Sequence, residues 1–122
     1  MNNKTLGSIG EAIAEAYLKK HGYKILERNY RLKIGEIDLI AEKDNGISFI
    51  EVKSRSSKKF GTAKEAVNFQ KQFKIRKVAE YYLMKAKKEY FYVNFDVIEC
   101  YSNDEIEHIK NCFWKFEKVL AK

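Results

Sequence analysis

Between residues 36 and 53 two apolar runs carry acids and a lysine at isolated positions. Residues 36–42 and 47–53 each read as β-strand, with Asp38 in the first and Glu51 and Lys53 in the second, joined through Lys43-Asp44-Asn45-Gly46. Asn-Gly is the strongest two-residue hairpin signal. Because strand side chains change face with period two, the hairpin register decides which of them meet. A two-residue loop at Asn45-Gly46 pairs Asp44 with Ile47 and sets Asp38 opposite Lys53. A four-residue loop pairs Glu42 with Ile47 and sets Asp38 opposite Glu51. Either loop puts Asp38, Glu51 and Lys53 on one mixed face and leaves Ile37, Leu39, Ala41, Ile50 and Val52 as an apolar face for another layer to cover. A three-residue loop would break the arrangement.

The same patterning organises the rest of the chain. Residues 5–21 read as a helix with Leu6, Gly10, Ile13, Tyr17 and Leu18 on one stripe, stopped by Gly22. Residues 23–32 read as a strand anchored by Tyr23, Ile25 and Tyr30, with weaker alternation at Glu27-Arg28-Asn29. Thr62-Ala63-Lys64-Glu65 forms a capping box that opens a helical region reaching about Lys88. Ala66, Phe69, Phe73, Val78 and Tyr82 point to the core, and Asn68 is a candidate second cap. Residues 90–101 and 105–109 read as strands, and 112–120 as a helix. The order is helix, three strands, helix, two strands, helix, which gives an α/β sandwich with a mixed sheet flanked by helices. With no proline, repeat or low-complexity linker, residues 1–122 read as a single domain.

Composition narrows the classes. Hydrophobic content of 45% and aromatic content of 14% exclude disorder despite 34% charged residues. No apolar run approaches the roughly 18 residues of a membrane span, and Met1-Asn2-Asn3-Lys4-Thr5 lacks a signal-peptide core, so a cytoplasmic protein is expected. Cys100 and Cys112 stand alone, without zinc-ligand spacing, and read as reduced thiols; His21 and His108 read as solvated or locally hydrogen-bonded side chains. Charge is concentrated. Between Lys53 and Lys77 nine basic residues, among them Arg55, Lys58, Lys59, Lys64, Lys71 and Lys74, face Glu65 alone, which accounts for the net charge of +7. A solvated helix face would look similar, but a basic stretch that starts at buried acids is the footprint expected for a polyanion.

Those acids carry the chemistry. A globular chain seldom places Asp, Glu and Lys at buried strand positions unless they pair, bind a metal or react. Cross-strand Cβ atoms lie about 4.5–5.5 Å apart directly and about 7–8 Å diagonally, close enough for Asp38 and Glu51 to share a cation. Glu36 shares the face of Asp38 and competes for a ligand role. Asp96 has no acid two residues away and reads as a structural or edge residue. Tyr81, Tyr82, Tyr90, Phe91 and Tyr92 are core aromatics first, and base-stacking surfaces second.

Leu6-Gly7, Gly10-Glu11, Ala14, Arg28-Asn29-Tyr30-Arg31, Gly35-Glu36-Ile37-Asp38-Leu39-Ile40, Phe49-Ile50-Glu51-Val52-Lys53-Ser54-Arg55, Phe60-Gly61, Glu65-Ala66-Val67, Lys71 and Phe95-Asp96-Val97-Ile98 together resemble the bacterial YraN-type family, in order along nearly the whole chain. The resemblance implies the PD-(D/E)XK nuclease-like superfamily, a restriction-endonuclease-like α-β-β-β-α-β core, and similarity to archaeal Holliday junction resolvases. Carried over by position, the functional set is Asp38, Glu51, Lys53, Glu11 and either Gln70 or Lys71. Ile37 stands where the superfamily name has proline. The implied activity is a metal-dependent endonuclease on DNA, with branched substrates included. The alternative is a silent nucleic-acid-binding module on the same fold, and analogy with a two-fold junction substrate allows a homodimer.

Asp38 and Glu51, with the Val52 carbonyl as a third donor and Glu11 directly or through water, suit Mg²⁺ or Mn²⁺. Lys53 would orient or deprotonate the attacking water or stabilise the charge developing on phosphate. Simpler roles exist for two of these: Asp38 and Lys53 as a cross-strand ion pair, and Glu11 as the last residue of the capping box Ser8-Ile9-Gly10-Glu11.

Overall fold

The structure, a computed structural model, describes residues 3–55 and 69–112, with side chains from residue 9 onward. Along the chain come α1 (Asn3–Lys20), β1 (Lys24–Leu32), β2 (Gly35–Lys43), β3 (Gly46–Arg55), α2 (Phe69–Ala86), β4 (Tyr92–Tyr101) and β5 (Ile106–Ile109). This is the expected order. The Thr62 capping box, Ala66, Asn68, the basic residues Lys58, Lys59 and Lys64, and the expected helix beyond Cys112 lie outside the described residues.

The five strands form one mixed sheet in sequential order. β1, β2 and β3 are an antiparallel meander, β3 and β4 are parallel, and β5 returns antiparallel. A parallel pair needs a long crossover, and the segment between β3 and β4 contains α2. Both faces are covered: Ala14, Leu18, Leu39, Ala41, Ile50 and Ile98 form the α1 layer, and Ile40, Ile47, Phe49, Ile75, Val78, Ala79, Phe95 and Val97 the α2 layer. Coverage on both sides explains why β3 and β4 read as nearly continuous apolar runs.

Three expectations need correction. First, the apolar face of β2 is divided: Leu39 and Ala41 pack under α1, whereas Ile37 joins the α2 layer. The described β2–β3 pairs end at Leu39 and Ile50, and just beyond them the Asp38 carboxylate accepts the Val52 N–H at 2.8 Å. The alternation therefore breaks at Asp38. Second, α2 buries Ile75, Val78 and Ala79, not Phe69 and Phe73, which are 76% and 44% exposed. Two apolar stripes share helical spacing on this helix, and periodicity alone cannot choose between them. Third, α1 buries Ala14 beside Leu18 and leaves Ile13 exposed.

The hairpin loop is Asp44-Asn45, with φ of 52° and 64°, and Lys43 pairs with Gly46. Positive φ at both central positions is the type I′ pattern that matches strand twist. Although the loop has two residues, it starts one residue earlier than Asn45-Gly46. Glu42 thus pairs with Ile47, and continuation of that register sets Asp38 opposite Glu51. Gly46 serves a steric purpose instead: a Cβ there would lie 2.0 Å from the ring of Tyr92, whose hydroxyl donates to the Lys43 carbonyl at 2.6 Å. Gly46→Ala is expected to cost about 1–3 kcal/mol by overpacking, read as a lower midpoint in urea unfolding.

Asp96 is fully buried, on the α1 side of the sheet, and is hydrogen-bonded to the His108 Nε2 at 2.7 Å. The Asn111 N–H donates to its other oxygen at 2.9 Å, and the second nitrogen of His108 lies 3.2 Å from the Tyr17 hydroxyl. Asp96 is therefore structural, as expected, but it is a core residue and not an edge one. His108, expected to be solvated or locally bonded, instead ties β5 to β4 and α1. Asp96→Ala is expected to lower unfolding free energy by about 1–3 kcal/mol, because it leaves the buried His108 nitrogen and the Asn111 N–H without their acceptor. His21 is locally bonded, through its Nδ1 and the Tyr17 carbonyl at 2.8 Å. Tyr82 packs edge-on to Tyr30 and Phe49, Tyr90 packs against the α2 layer, and Phe91 alone of that aromatic group is strongly exposed.

Candidate active site

Antiparallel pairing brings the start of β2 beside the end of β3, and α2 lies over both. In open α/β sheets, ligands bind beyond the carboxyl ends of parallel strands, and β3 ends here. A cleft of about 380 Å³ is lined by Ile34, Gly35, Glu36, Asp38, Glu51, Gln70, Lys71, Lys74 and Ile75. Glu51 is only 4% exposed. Its Oε2 is ion-paired with Lys71 and lies 3.6 Å from the Lys53 Nζ.

The electrostatics arise from crowding these groups under α2. Burial, then the neighbouring Glu51 carboxylate, push Asp38 up from 3.8 to about 8, against the opposing Val52 N–H. Burial and the nearby Lys71 amine lower the pKa of Lys53, with Glu51 and Asp38 acting in the other direction. For Lys71 burial again favours the neutral form, but Glu51 outweighs it and the pKa rises. Burial also raises Glu11, reinforced by Glu36 and Glu51 and countered by a hydrogen bond from Asn29.

Asp38, Glu51, Lys53, Gln70 and Lys71 therefore converge on one end of the sheet from three elements. Val52 enters through its N–H. Glu11 stands within electrostatic reach of Glu51 and Asp38. Glu36 lines the cleft but is paired with Arg31 at 3.3 Å. Lys74 also lines the cleft, whereas Arg55 is held by Glu99 at 2.7 Å. Glu99, buried on β4, pairs in register with Lys53 and accepts the Tyr101 hydroxyl at 2.9 Å. It was legible by the same signal as Glu51: an acid inside an apolar strand run.

Among the described residues, no three Asp, Glu, His or Cys side chains are grouped closely enough to hold a metal ion. Asp38 and Glu51 stand as a neighbouring carboxylate pair, with Asp38 disfavoured as an anion by burial and by its neighbour; two hard-oxygen groups are the kind that would suit Mg²⁺ or Mn²⁺, which complete their coordination with water and phosphate oxygens.

Fold and cluster together define an α/β protein with a mixed five-stranded sheet between two helices and an acid–lysine site at the end of its parallel pair. Residues 10–100 match the Uncharacterised protein family UPF0102, and the chain belongs to that family. It is 50% identical over 119 residues to a UPF0102 protein of Caldanaerobacter subterraneus, covering 93% of this chain and 98% of that one. A UPF0102 protein of Clostridioides difficile is 53% identical over 114 residues, covering 93% and 100%. Among solved structures, the chain is similar to Pyrococcus furiosus SfsA in complex with Ca²⁺, at 14% identity and a TM-score of 0.33, over 88% of this chain and 62% of that one.

Proposed function

We propose that the protein is a metal-dependent endonuclease that hydrolyses phosphodiester bonds in DNA. The observation that carries this reading is a cleft lined by Asp38, Glu51 and the lysines Lys71 and Lys74 of α2, with the Lys53 amine 3.6 Å from the Glu51 carboxylate. A bound Mg²⁺ or Mn²⁺ would supply Lewis-acid polarisation of the phosphate and a more acidic water. Asp38 and Glu51 would hold that ion, with Asp38 oriented by the Val52 N–H. Glu11 adds negative charge near the pair and acts through water. Lys53, whose amine releases its proton more readily than an ordinary lysine, holds the attacking water and shares its proton. Lys71 keeps its charge, fixes the Glu51 carboxylate, and with Lys74 and Gln70 receives the phosphate oxygens.

A second reading, a silent nucleic-acid-binding module, is favoured by one observation: Lys53 and Lys71 both flank Glu51 and meet its charge without any ion. A plasmid-nicking and branched-oligonucleotide assay in Mg²⁺ and Mn²⁺, run beside Glu51→Ala, separates the two. Metal-dependent cleavage by the wild type that disappears in the variant supports the nuclease. Equal inertness, with DNA binding that weakens steeply as salt rises, supports the module.

A further inference from the structure

Arg28-Asn29 lies in the interior of β1. Arg28 faces α1, where its guanidinium donates to both carboxylate oxygens of Glu15 at 2.7 and 2.6 Å. Two residues on, Tyr30 faces α2 and packs edge-on to Tyr82. Strand residues two apart ordinarily share a face, so the alternation slips at Asn29. β2 slips in the same way between Ile37, in the α2 layer, and Leu39, under α1. Arg28 pairs with Leu39 and Tyr30 with Ile37, which sets Asn29 opposite Asp38. Both strands therefore change face on a single rung, the one that carries the Asp38 carboxylate.

Asn29 has a φ of 51°, in the left-handed region that Gly, Asn and Asp enter singly and most other residues avoid. Such a conformation persists only where the surroundings over-determine it, and it gathers at functional sites. The Asn29 side chain is hydrogen-bonded to Glu11, one helical turn before Glu15 on the same face of α1. Successive strand residues normally point to opposite faces, yet Arg28 and Asn29 both hold α1. Glu11 in turn acts through its charge on Asp38 and Glu51. We propose that Asn29 is a positioning residue of the cation site: its left-handed backbone lets β1 follow β2 through the rung of Asp38, and its carboxamide fixes Glu11 beside the Asp38–Glu51 pair. Arg28 already ties the helix to the strand, so docking α1 does not by itself call for Asn29. The proposal rests on the reading of Asp38 and Glu51 as cation ligands, but not on cleavage.

The test is the melting temperature as Mg²⁺ is titrated into the protein without DNA. Asn29→Gly leaves the left-handed backbone accessible and removes the carboxamide. It should melt within a few degrees of the wild type in EDTA, yet need about tenfold more Mg²⁺ for half of the full rise, the loss typical of a group that orients a metal site. Glu11→Gln should show a similar loss. Adding Asn29→Gly to Glu11→Gln should cost less than about twofold more, because residues that act through one contact are not additive. Arg28→Ala, which loosens the same helix from the same strand through an exposed ion pair, should move the midpoint by less than about twofold. An Asn29→Gly midpoint like that of the wild type overturns the proposal, as do additive losses with Glu11→Gln or an equal loss in Arg28→Ala. So does a fall of more than a few degrees for Asn29→Gly in EDTA, which would make Asn29 part of the general packing. A wild type indifferent to Mg²⁺ removes the cation site and this proposal with it. The expected Mg²⁺ losses without any DNA cleavage sustain the proposal and remove the nuclease reading alone.

Discussion

Asp38→Asn is expected to reduce DNA cleavage about a thousandfold while making the metal-free protein more stable at pH 8. The two effects share one cause. Asp38 is buried beside Glu51, and its carboxyl is pushed up to about 8 from the 3.8 of an unperturbed aspartate. Between those values the unfolded chain has released the proton and the native protein keeps it, so folding takes up a proton and stability declines as pH rises through the window. Below about pH 4 both states are protonated and the contribution is fully retained; above about pH 8 it is lost. Asparagine keeps the shape and can still accept the Val52 N–H, but carries no charge to bury. The variant should therefore show a flatter stability–pH profile between pH 4 and 8 and a higher melting temperature at pH 8. A residue that costs stability where it sits and whose loss abolishes cleavage would show the trade-off expected of a functional group. Urea unfolding at several pH values, paired with cleavage assays, measures both effects.

Lys53→Ala is expected to slow cleavage by about 10²- to 10⁴-fold with little change in cation binding. Lys53 touches the same Glu51 oxygen as Lys71, but only Lys53 has a lowered pKa, chiefly through burial and then through the Lys71 amine. Removing Lys53 leaves Glu51 paired with Lys71, so the carboxylate pair stays in place. Lys71→Ala should instead remove the cation beside Lys53 and raise the Lys53 pKa. The pH–rate profile should then shift toward higher pH, with a smaller loss at its optimum. Profiles of wild type and both variants across pH 6–10 separate these roles.

Much of the site was legible because period-two alternation and an even hairpin loop are enough to place Asp38, Glu51 and Lys53 together. The element order was equally readable from helical and strand periodicity. What escaped depended on tertiary contact. Asn45-Gly46 looks like the turn, but Gly46 is required by the ring of Tyr92, a neighbour 46 residues away in sequence. Ile37 crosses to the α2 layer because the strand pattern breaks where Asp38 turns to the Val52 N–H. Phe69 and Phe73 satisfy helical spacing as well as Ile75 and Val78 do, and only the position of the sheet decides which pair it buries. His108 and Asp96 are 12 residues apart in sequence and show no motif, yet they meet through the β4–β5 pairing.

The most direct test is the melting temperature at pH 8 as Mg²⁺ or Mn²⁺ is titrated into wild type and Asp38→Asn. An ion that binds the native carboxylate pair must stabilise it by RT ln(1 + [L]/Kd), about 2.7 kcal/mol at a hundredfold excess over Kd. A saturable rise is expected in the wild type and none in the variant. A flat titration in both proteins, or an equal rise in both, would contradict it.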